Sequence, residues 1–553
     1  MLGRFRFLSI VIIFGFGALL ARLFTLQVVY AHKYRALAKE QHSRSGNLPA
    51  PRGSIYSSDN FPLTLDETSY LLYAEPKVIE DPQEIALALS KLINRDYSEL
   101  LESLGPSDLW WIKLADGLDL TLKKQIESLS FSGLGFEAKT TRFYPENDLA
   151  LEVLGFVGKD QDDNPQGYFG LEGYYNEDLT GRSGRITQDV SALGEPILSG
   201  FYNQVSALAG RDLVLTLNRD MQFLVELRLK KAMSDFGAKS GDVVILEPET
   251  GAILTMASYP KQASPSAFAN NTIGETYEPG SVMKAVTMSA AINEGVVEPQ
   301  TTMQDSGPVV YSGHTVDNWD GKHHGEETMV EILQHSNNIG AAWVGGKLGA
   351  KTLREYFLKF GFGEKLGLDL EGEGTGVVRP LSEWGDIDLA TAAFGQGISV
   401  TPLQMASALA TIANGGVYQK PYIVGAIRDS GANEKSYLVK PAKGVRVLKK
   451  AKAEVITEML TQAVSGGEGK FAVLKNYKIS GKTGTAQIPI DGKYDPQKTN
   501  ATFIGFLPNS RKFVMLVRLC EPQSSLWASE TAEPLWMDIA QDLIRYYGIE
   551  PDY

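Results

Sequence analysis

Ser281-Val-Met-Lys284 sets a hydroxyl and an amine three residues apart, ahead of a run from Ala285 to Ile292 that contains no helix breaker. On a helix that spacing places both side chains on one face, within reach of each other. A serine hydroxyl becomes a nucleophile only when a base takes its proton. Lys284 lies among Val282, Met283, Val286 and Met288, and burial there favours the neutral amine that a base requires. The pattern points to acyl transfer through a serine ester. A second match, Ser258-Tyr-Pro-Lys261, follows a strand-like run from Gly251 to Ala257. Its proline disfavours a helical turn that would align the two side chains, so Ser258 reads as loop.

Two downstream signals complete a set. Ser336-Asn-Asn338 ends a short helical stretch, and Ser480-Gly-Lys482-Thr483-Gly484-Thr485 reads as an edge strand where a ligand approaches the backbone. Ser45-Gly-Asn47 and Ser58-Asp-Asn60 also match Ser-x-Asn, but both precede Ser281 in a polar, turn-rich region. Lys-Thr-Gly occurs once. The three signals in order are far more specific than any one alone.

Together they resemble the catalytic motifs of the penicillin-binding proteins and serine β-lactamases, Ser-x-x-Lys, Ser-Asp-Asn and Lys-Thr-Gly. The middle motif departs by carrying Asn337 in place of aspartate, with its first and third residues kept. The resemblance implies that Ser281 attacks a D-alanyl-D-alanine carbonyl with Lys284 as base. It implies that Ser336 relays a proton to the leaving amine and that Asn338 holds the substrate amide. Lys482 supports the electrostatics near Ser336, and Thr483 and Thr485, flanking Gly484, bind the terminal carboxylate. The backbone N–H groups of Ser281 and Thr485 form an oxyanion hole. An amine of a neighbouring stem peptide then resolves the acyl-enzyme. Gly395-Gln-Gly-Ile-Ser-Val-Thr401-Pro-Leu-Gln404 resembles the family's stretch beside the cleft, with a structural role first.

These parts need elements to carry them. Leu213–Leu217, Asp242–Glu247, Ala252–Ala257, Phe503–Pro508 and Lys512–Leu519 read as strands; Asp220–Met233 and Leu535–Tyr547 read as helices. Strands at both ends with helices between predict an α+β domain over 209–548, an antiparallel sheet with an α-helical lobe. Residues 549–553 form a tail. The region 31–208 reads as a β-rich module with helical periodicity at Asp81–Leu104 and Leu118–Leu129. Its glycines between Gly155 and Gly184 lack a phosphate-loop context and read as turns. Pro51-Arg-Gly-Ser-Ile-Tyr56 predicts a turn and a short strand.

The N-terminus has Arg4 and Arg6 before an apolar stretch from Phe7 to Tyr30, interrupted by Arg22. At about 1.5 Å per residue it spans roughly 36 Å, enough to cross a bilayer. A cleaved signal peptide is the alternative, but no clean small-x-small cleavage site follows the apolar core before Arg22, and the apolar character resumes at Leu23. The expectation is a single transmembrane helix, a cytoplasmic tail of residues 1–6 and the bulk outside, periplasmic or extracellular. Ala31–Gln41 is expected to prolong that helix outward. Arg22 is costly within a bilayer and either snorkels or faces a partner.

This region also resembles a family. Leu26-Gln-Val-Val, Tyr34, Ala38, Gln41 and Ala50-Pro-Arg52-Gly53-Ser-Ile55 resemble the juxtamembrane signature of class B, monofunctional penicillin-binding proteins. Arg142-Phe-Tyr-Pro145, Gly170-Leu-Glu172-Gly and Leu179-Thr-Gly181 resemble their pedestal, or dimerisation, domain. Ser57-Ser58-Asp59-Asn60 departs from the family's usual Asp-Arg-x-Gly. The resemblance implies a peptidoglycan D,D-transpeptidase inhibited by β-lactams, of septal type by its compact pedestal, with elongation as the alternative. It implies a membrane glycosyltransferase and division proteins as partners.

Composition is compatible. The chain has 553 residues and a net charge of −13, which argues against nucleic acid as partner. Its one cysteine, Cys520, rules out an internal disulfide. Four of the six histidines, His314, His323, His324 and His335, fall in one stretch. No spacing there matches a firm ligand pattern, so a polar loop beside the cleft is expected, with neither metal nor cofactor. Rival readings are a β-lactamase or D,D-carboxypeptidase, which needs a deacylating water base such as Glu371, Glu373 or Glu383, and a β-lactam sensor or non-catalytic scaffold. A sensor would need a signalling domain that the short cytoplasmic tail lacks.

Overall fold

The computed structural model describes residues 2–34, 43–105, 109–191, 197, 202–261, 269–430, 435–467 and 474–553. The chain divides into two compact units, residues 1–52 with 180–210, and residues 53–179 with 211–553.

In the smaller unit an α-helix over Leu2–Phe24 continues into a π-helical turn at Thr25–Val29. The 28-residue apolar stretch Leu2–Val29 is long enough to cross a membrane, and none of it is buried against protein. It starts five residues before the expected Phe7, because Arg4 and Arg6 extend the helix rather than precede it. Of the expected outward extension, residues 35–41 lie outside the described residues. A three-stranded antiparallel sheet of Ser43–Leu48, Gly184–Asp189 and Tyr202–Val205 completes the unit.

The larger unit holds the catalytic motifs. Its central five-stranded antiparallel sheet runs Ile253–Tyr259, Ser240–Leu246, Val514–Cys520, Lys493–Phe506 and Ser480–Ile490 in spatial order. Alternate residues of a strand face opposite sides, and here both sides are covered. Val243, Ile245, Met515, Val517 and Phe503 pack with the helices Arg219–Phe236 and Ala532–Tyr547. Val244, Leu246, Leu516 and Ile504 pack on the other face, in a core shared with the helical lobe. That lobe is built around Lys284–Glu294, in which every residue from Lys284 to Asn293 is buried, and Pro402–Ala413, buried throughout. Thr401 caps the latter reciprocally with Gln404, and Pro402 occupies its first turn.

A second, seven-stranded sheet draws on residues from both ends of the unit. Pro62–Ala74 pairs with Leu134–Phe143 and Ile112–Leu118, and the sheet continues through Ile55–Tyr56 to Asp212–Leu215, Val424–Arg428 and Ser436–Leu438. Gly53 makes the close approach possible, since a Cβ there would sit 1.8 Å from the Arg211 carbonyl oxygen. Arg142, in the strand Leu134–Phe143 of this sheet, has a buried side chain that bonds to Glu172 (2.7 Å), Asp66 (3.0 Å) and the Gly53 carbonyl (2.8 Å).

Three local expectations need correction. Ser258 is not loop: it lies inside the strand Ile253–Tyr259, opposite Asp242, to which its hydroxyl donates at 2.9 Å. The helical periodicity over Asp81–Leu104 is not continuous but belongs to two helices, Pro82–Leu92 and Tyr97–Leu104, each capped by its own aspartate, Asp81 and Asp96. The glycines from Gly155 onward are not merely turns. Gly170 opens the short helix Gly170–Tyr174, and Gly155 (φ +78°) lies so close to Phe169 that a Cβ would sit 2.2 Å from its carbonyl oxygen.

Candidate active site

Ser281 sits in a 3₁₀ turn, Gly280–Met283, that feeds directly into the helix beginning at Lys284. The turn is fixed from two sides. Gly280 donates its N–H to the Gly395 carbonyl at 3.0 Å, and Gly395 (φ +85°) has no room for a Cβ, which would fall 2.2 Å from the Gly280 oxygen. Gly484 closes the other side: a Cβ there would lie 2.9 Å from the Pro279 carbonyl oxygen and from Val282. These contacts give the Gly395 and Gly484 motifs a packing role around the serine.

Lys284 is buried to 1 % exposure, and its Nζ lies 2.9 Å from Ser281 Oγ. The same nitrogen donates to the Ser336 carbonyl (2.5 Å) and Asn338 Oδ1 (2.8 Å), and lies 3.2 Å from Ser336 Oγ. Ser336 links the helices Met329–Gln334 and Asn338–Leu348 with a left-handed backbone, φ +52°. That turn aims its hydroxyl inward, where Lys482 Nζ lies 3.1 Å away. Lys482 lies in the edge strand Ser480–Ile490, as expected, and its Nζ is also 3.2 Å from Thr483 Oγ1. Thr485 is on the same strand, with Oγ1 accepting the Ala528 N–H at 3.1 Å. Ser281, Lys284, Ser336, Asn338, Lys482, Thr483, Gly484 and Thr485 therefore converge.

The middle residue of Ser336-Asn-Asn338 has a physical reason for its departure from aspartate. Asn337 is fully buried, and its Nδ2 donates to Asp305 Oδ2 (2.8 Å) and Glu327 Oε2 (2.5 Å). A third carboxylate there would face two others without a proton to share. Its Oδ1 meanwhile caps the following helix at the Gly340 N–H (2.6 Å). Burial works to raise the pKa of Asp305, but the Gly307 N–H and the amides of Asn337 and Asn318 outweigh it and hold it below the usual carboxylate value.

The motif residues open into a cleft of roughly 730 Å³. Ser281, Ser336, Asn338, Thr483 and Thr485 line it, and His314, Asp317 and Gln396 form part of its wall. Trp319 and Trp527 meet edge to face over it, with ring centroids 4.8 Å apart. Asn318 also lines it, although it is largely buried and accepts the Asn338 N–H at 3.0 Å. Asp320 points away toward His324. Glu371, Glu373 and Glu383 are not among the residues lining the cleft; Glu373 instead accepts three backbone N–H groups, from Leu366, Gly367 and Leu368.

Several contributors have no motif in the sequence. Tyr494, from the neighbouring strand, donates to Glu278 at 3.0 Å, three residues before Ser281. Burial raises the Glu278 pKa, against the Gly397 N–H that also bonds it. Within the central sheet, Arg518 of the strand Val514–Cys520 is fully buried and bonds Asp242 (2.5 Å) on the neighbouring strand and Glu275 (3.0 Å), with its guanidinium 4.9 Å from the Tyr277 ring. It thereby holds the segment that leads into the Ser281 turn.

The family model "Penicillin binding protein transpeptidase domain" matches residues 241–542. The chain belongs to the penicillin-binding protein transpeptidase family. A second model, the penicillin-binding protein dimerisation domain, matches residues 47–215, which makes this a class B member. The chain is 30% identical to stage V sporulation protein D of Bacillus subtilis, over 98% of this chain and 86% of the relative. It is 28% identical to peptidoglycan D,D-transpeptidase FtsI of Escherichia coli, over 99% of this chain and 92% of the relative. Among solved structures, penicillin binding protein 3 of Mycobacterium tuberculosis, complexed with aztreonam, is 26% identical with a TM-score of 0.70, covering 92% of this chain and 98% of that one. Penicillin binding protein 2X of Streptococcus thermophilus shares the fold at 22% identity and a TM-score of 0.74, covering 91% of this chain and 80% of that one.

Proposed function

We propose that this chain is a membrane-anchored serine D,D-transpeptidase that cross-links peptidoglycan stem peptides through an ester on Ser281. The observation that carries the mechanism is the set of atoms around Lys284. A neutral amine has two N–H donors and one lone pair. The Ser336 carbonyl and Asn338 Oδ1, at 2.5 and 2.8 Å, only accept, so they take both donors. With those donors engaged, a lone pair directed at the Ser281 hydroxyl, 2.9 Å away, gives the arrangement of a base.

Ser281 Oγ attacks the penultimate D-alanine carbonyl, and its proton passes to Lys284. Ser336, between the two lysines, returns a proton to the leaving D-alanine. The backbone N–H groups of Ser281 and Thr485 stabilise the oxyanion, in an edge strand whose outer N–H groups have no neighbouring strand. Thr483 and Thr485 receive the substrate carboxylate, with Lys482 behind them, and Asn338 orients the peptide amide. The amine of a second stem peptide attacks the ester and frees Ser281. β-Lactams acylate the same serine.

The domain division is read as a pedestal over 31–208 and a catalytic domain over 209–548, in keeping with the two matched ranges. Arg4 and Arg6 at the start of the apolar helix favour a cytoplasmic N-terminus and a catalytic domain outside. The role is assigned to septal wall synthesis, supported by the full-length similarity to FtsI; a fluorescent fusion that marks the side wall instead would overturn that assignment. A membrane glycosyltransferase would supply the glycan strands, with Arg22 as a candidate contact.

The activity is tested with full-length protein in detergent, a stem peptide ending in D-alanyl-D-alanine and an amine-bearing acceptor. Cross-linked dimer together with free D-alanine, both lost in Ser281→Ala, is the expected result. D-alanine release without cross-linking would assign a carboxypeptidase instead.

A further inference from the structure

Two of the clustered histidines come together with a buried carboxylate directly behind the Ser336 turn. His335 Nδ1 lies 2.5 Å from Glu327 Oε1, and His324 Nδ1 lies 3.9 Å from the same oxygen. The two imidazoles stack, with centroids 4.7 Å apart and planes inclined by 13°. One donor atom from each of His324, Glu327 and His335 lies within 4.8 Å of the others. We propose that these three residues bind a divalent transition-metal ion of the zinc class.

The donor chemistry fits. Two imidazoles and one carboxylate form a recognised three-ligand zinc set that leaves a position for water. Bonds of about 2.0–2.1 Å require tetrahedral donors to stand roughly 3.4 Å apart. The observed separations, 2.5 and 3.9 Å to Glu327 Oε1 and none above 4.8 Å, straddle that value, and binding would turn the imidazoles out of their stack so that both lone pairs meet the ion. The surrounding groups also fit. A metal-bound histidine characteristically donates its second ring N–H to a carboxylate. His324 Nε2 is buried without a hydrogen-bond partner and lies 3.7 Å from Asp320 Oδ2. Glu327 has its other oxygen held by Asn337 at 2.5 Å, so Oε1 would exchange its hydrogen bond with His335 Nδ1 for the ion. Glu327 is buried and His324 half-buried, whereas His335 is 44% exposed and provides an entry path.

The placement gives the ion a consequence. His335 and Asn337 flank Ser336, whose backbone is held at φ +52°. An ion joining His335 to Glu327 and His324 would fasten one side of that turn to the Gly325–Thr328 strand region, while Asn337 fastens the other. The metal would act as a positioning device for Ser336, with no part in the acyl transfer itself. The sequence spacing conceals the set because Glu327 stands between the histidines and is one acid among many.

Metal binding can be measured without reference to catalysis; its effect on acylation rests on the function proposed above. Full-length protein freed of metal with a chelator is titrated calorimetrically with Zn²⁺, and with Co²⁺ as a spectroscopic probe. One equivalent of Zn²⁺ is expected, with Co²⁺ giving visible absorption of a nitrogen-ligated, low-coordinate centre. His324→Ala and His335→Ala should each abolish both signals, and Asp320→Asn should weaken binding about 10-fold. Zn²⁺ should also raise the rate of labelled-penicillin acylation of the wild-type protein. Absence of stoichiometric Zn²⁺ binding by the wild-type chain would overturn the proposal without recourse to any variant. So would binding that survives in the His324→Ala/His335→Ala double variant, whose fold is checked by its melting transition. Stoichiometric binding with no change in acylation would overturn the positioning role and leave failure of the catalytic reading to be judged by the cross-linking assay.

Discussion

Ser336 Oγ stands 3.1 Å from Lys482 Nζ, with Lys284 Nζ 3.2 Å away on the same hydroxyl. A hydroxyl placed between two amines can accept from one and donate to the other, so it can carry a proton between Lys284 and a leaving group. Ser336→Ala should therefore slow acylation of Ser281 by penicillin about 100-fold, the lower end of a general acid–base contribution, or about 2.7 kcal/mol of barrier. Rapid-quench acylation rates measure this. The melting temperature should change little, because the small side chain is removed without leaving either lysine lacking carbonyl or hydroxyl acceptors.

Asn337→Asp restores the Ser-Asp-Asn spelling common in the family, and it should weaken the protein. The change removes the N–H donor shared by the Asp305 and Glu327 carboxylates and adds a third acid beside them. Loss of a buried hydrogen bond with unsatisfied partners costs about 1–3 kcal/mol, more for charged groups. Denaturant titration should show a lower midpoint, and the loss should shrink as the pH falls and the carboxylates protonate.

Arg518→Met should destabilise the fold by about 3–5 kcal/mol, because it leaves Asp242 buried without its cation. Arg518 also bonds Glu275 and stacks on Tyr277, so the change should slow acylation as well. The double variant Asp242→Asn/Arg518→Met should recover part of the stability. A cycle of the wild type, Asp242→Asn, Arg518→Met and the double variant, followed by chemical denaturation, checks the coupling.

Glu152 sets a pH dependence far from the cleft. Burial lifts its carboxyl from 4.5 to about 7, with Lys261 opposing the shift and Glu226 reinforcing it. The unfolded chain ionises near 4.5 and the folded chain near 7, so between these values the folded state holds the extra proton. The contribution is fully present below pH 4.5 and is lost as pH rises through 7. Its size is roughly 3 kcal/mol. Glu152→Gln, which keeps an acceptor for the Ser258 N–H, should flatten the fall in melting temperature between pH 5 and 8.

The candidate catalytic residues are readable because each motif is short and its chemistry is local: Ser281 and Lys284 share one turn, and Lys482 to Thr485 share one strand. Their convergence followed from the order of the motifs. The supports were not readable in the same way. Arg518 and Asp242 are separated by 276 residues, and nothing in the local pattern of either marks a pair. Tyr494 reaches the cleft from a strand and Trp527 from a loop after the sheet, and only folding brings them together. Ser258 was misread for a related reason. The proline rule correctly refused a helix there, but the alternative was a strand, held by cross-strand bonding to Asp242 that the sequence does not display. Asp96, a second cap inside one helical period, was a local signal and would have divided Asp81–Leu104 correctly.

The account turns on Ser281 as the acylated residue. Labelled penicillin is incubated with the full-length protein, and the adduct is followed by intact mass and mapped by peptide mass spectrometry. One covalent adduct per chain is expected on the peptide carrying Ser281, persisting for many minutes and absent from Ser281→Ala. An adduct on Ser258, or hydrolysis of the label too rapid for any adduct to accumulate, would contradict it.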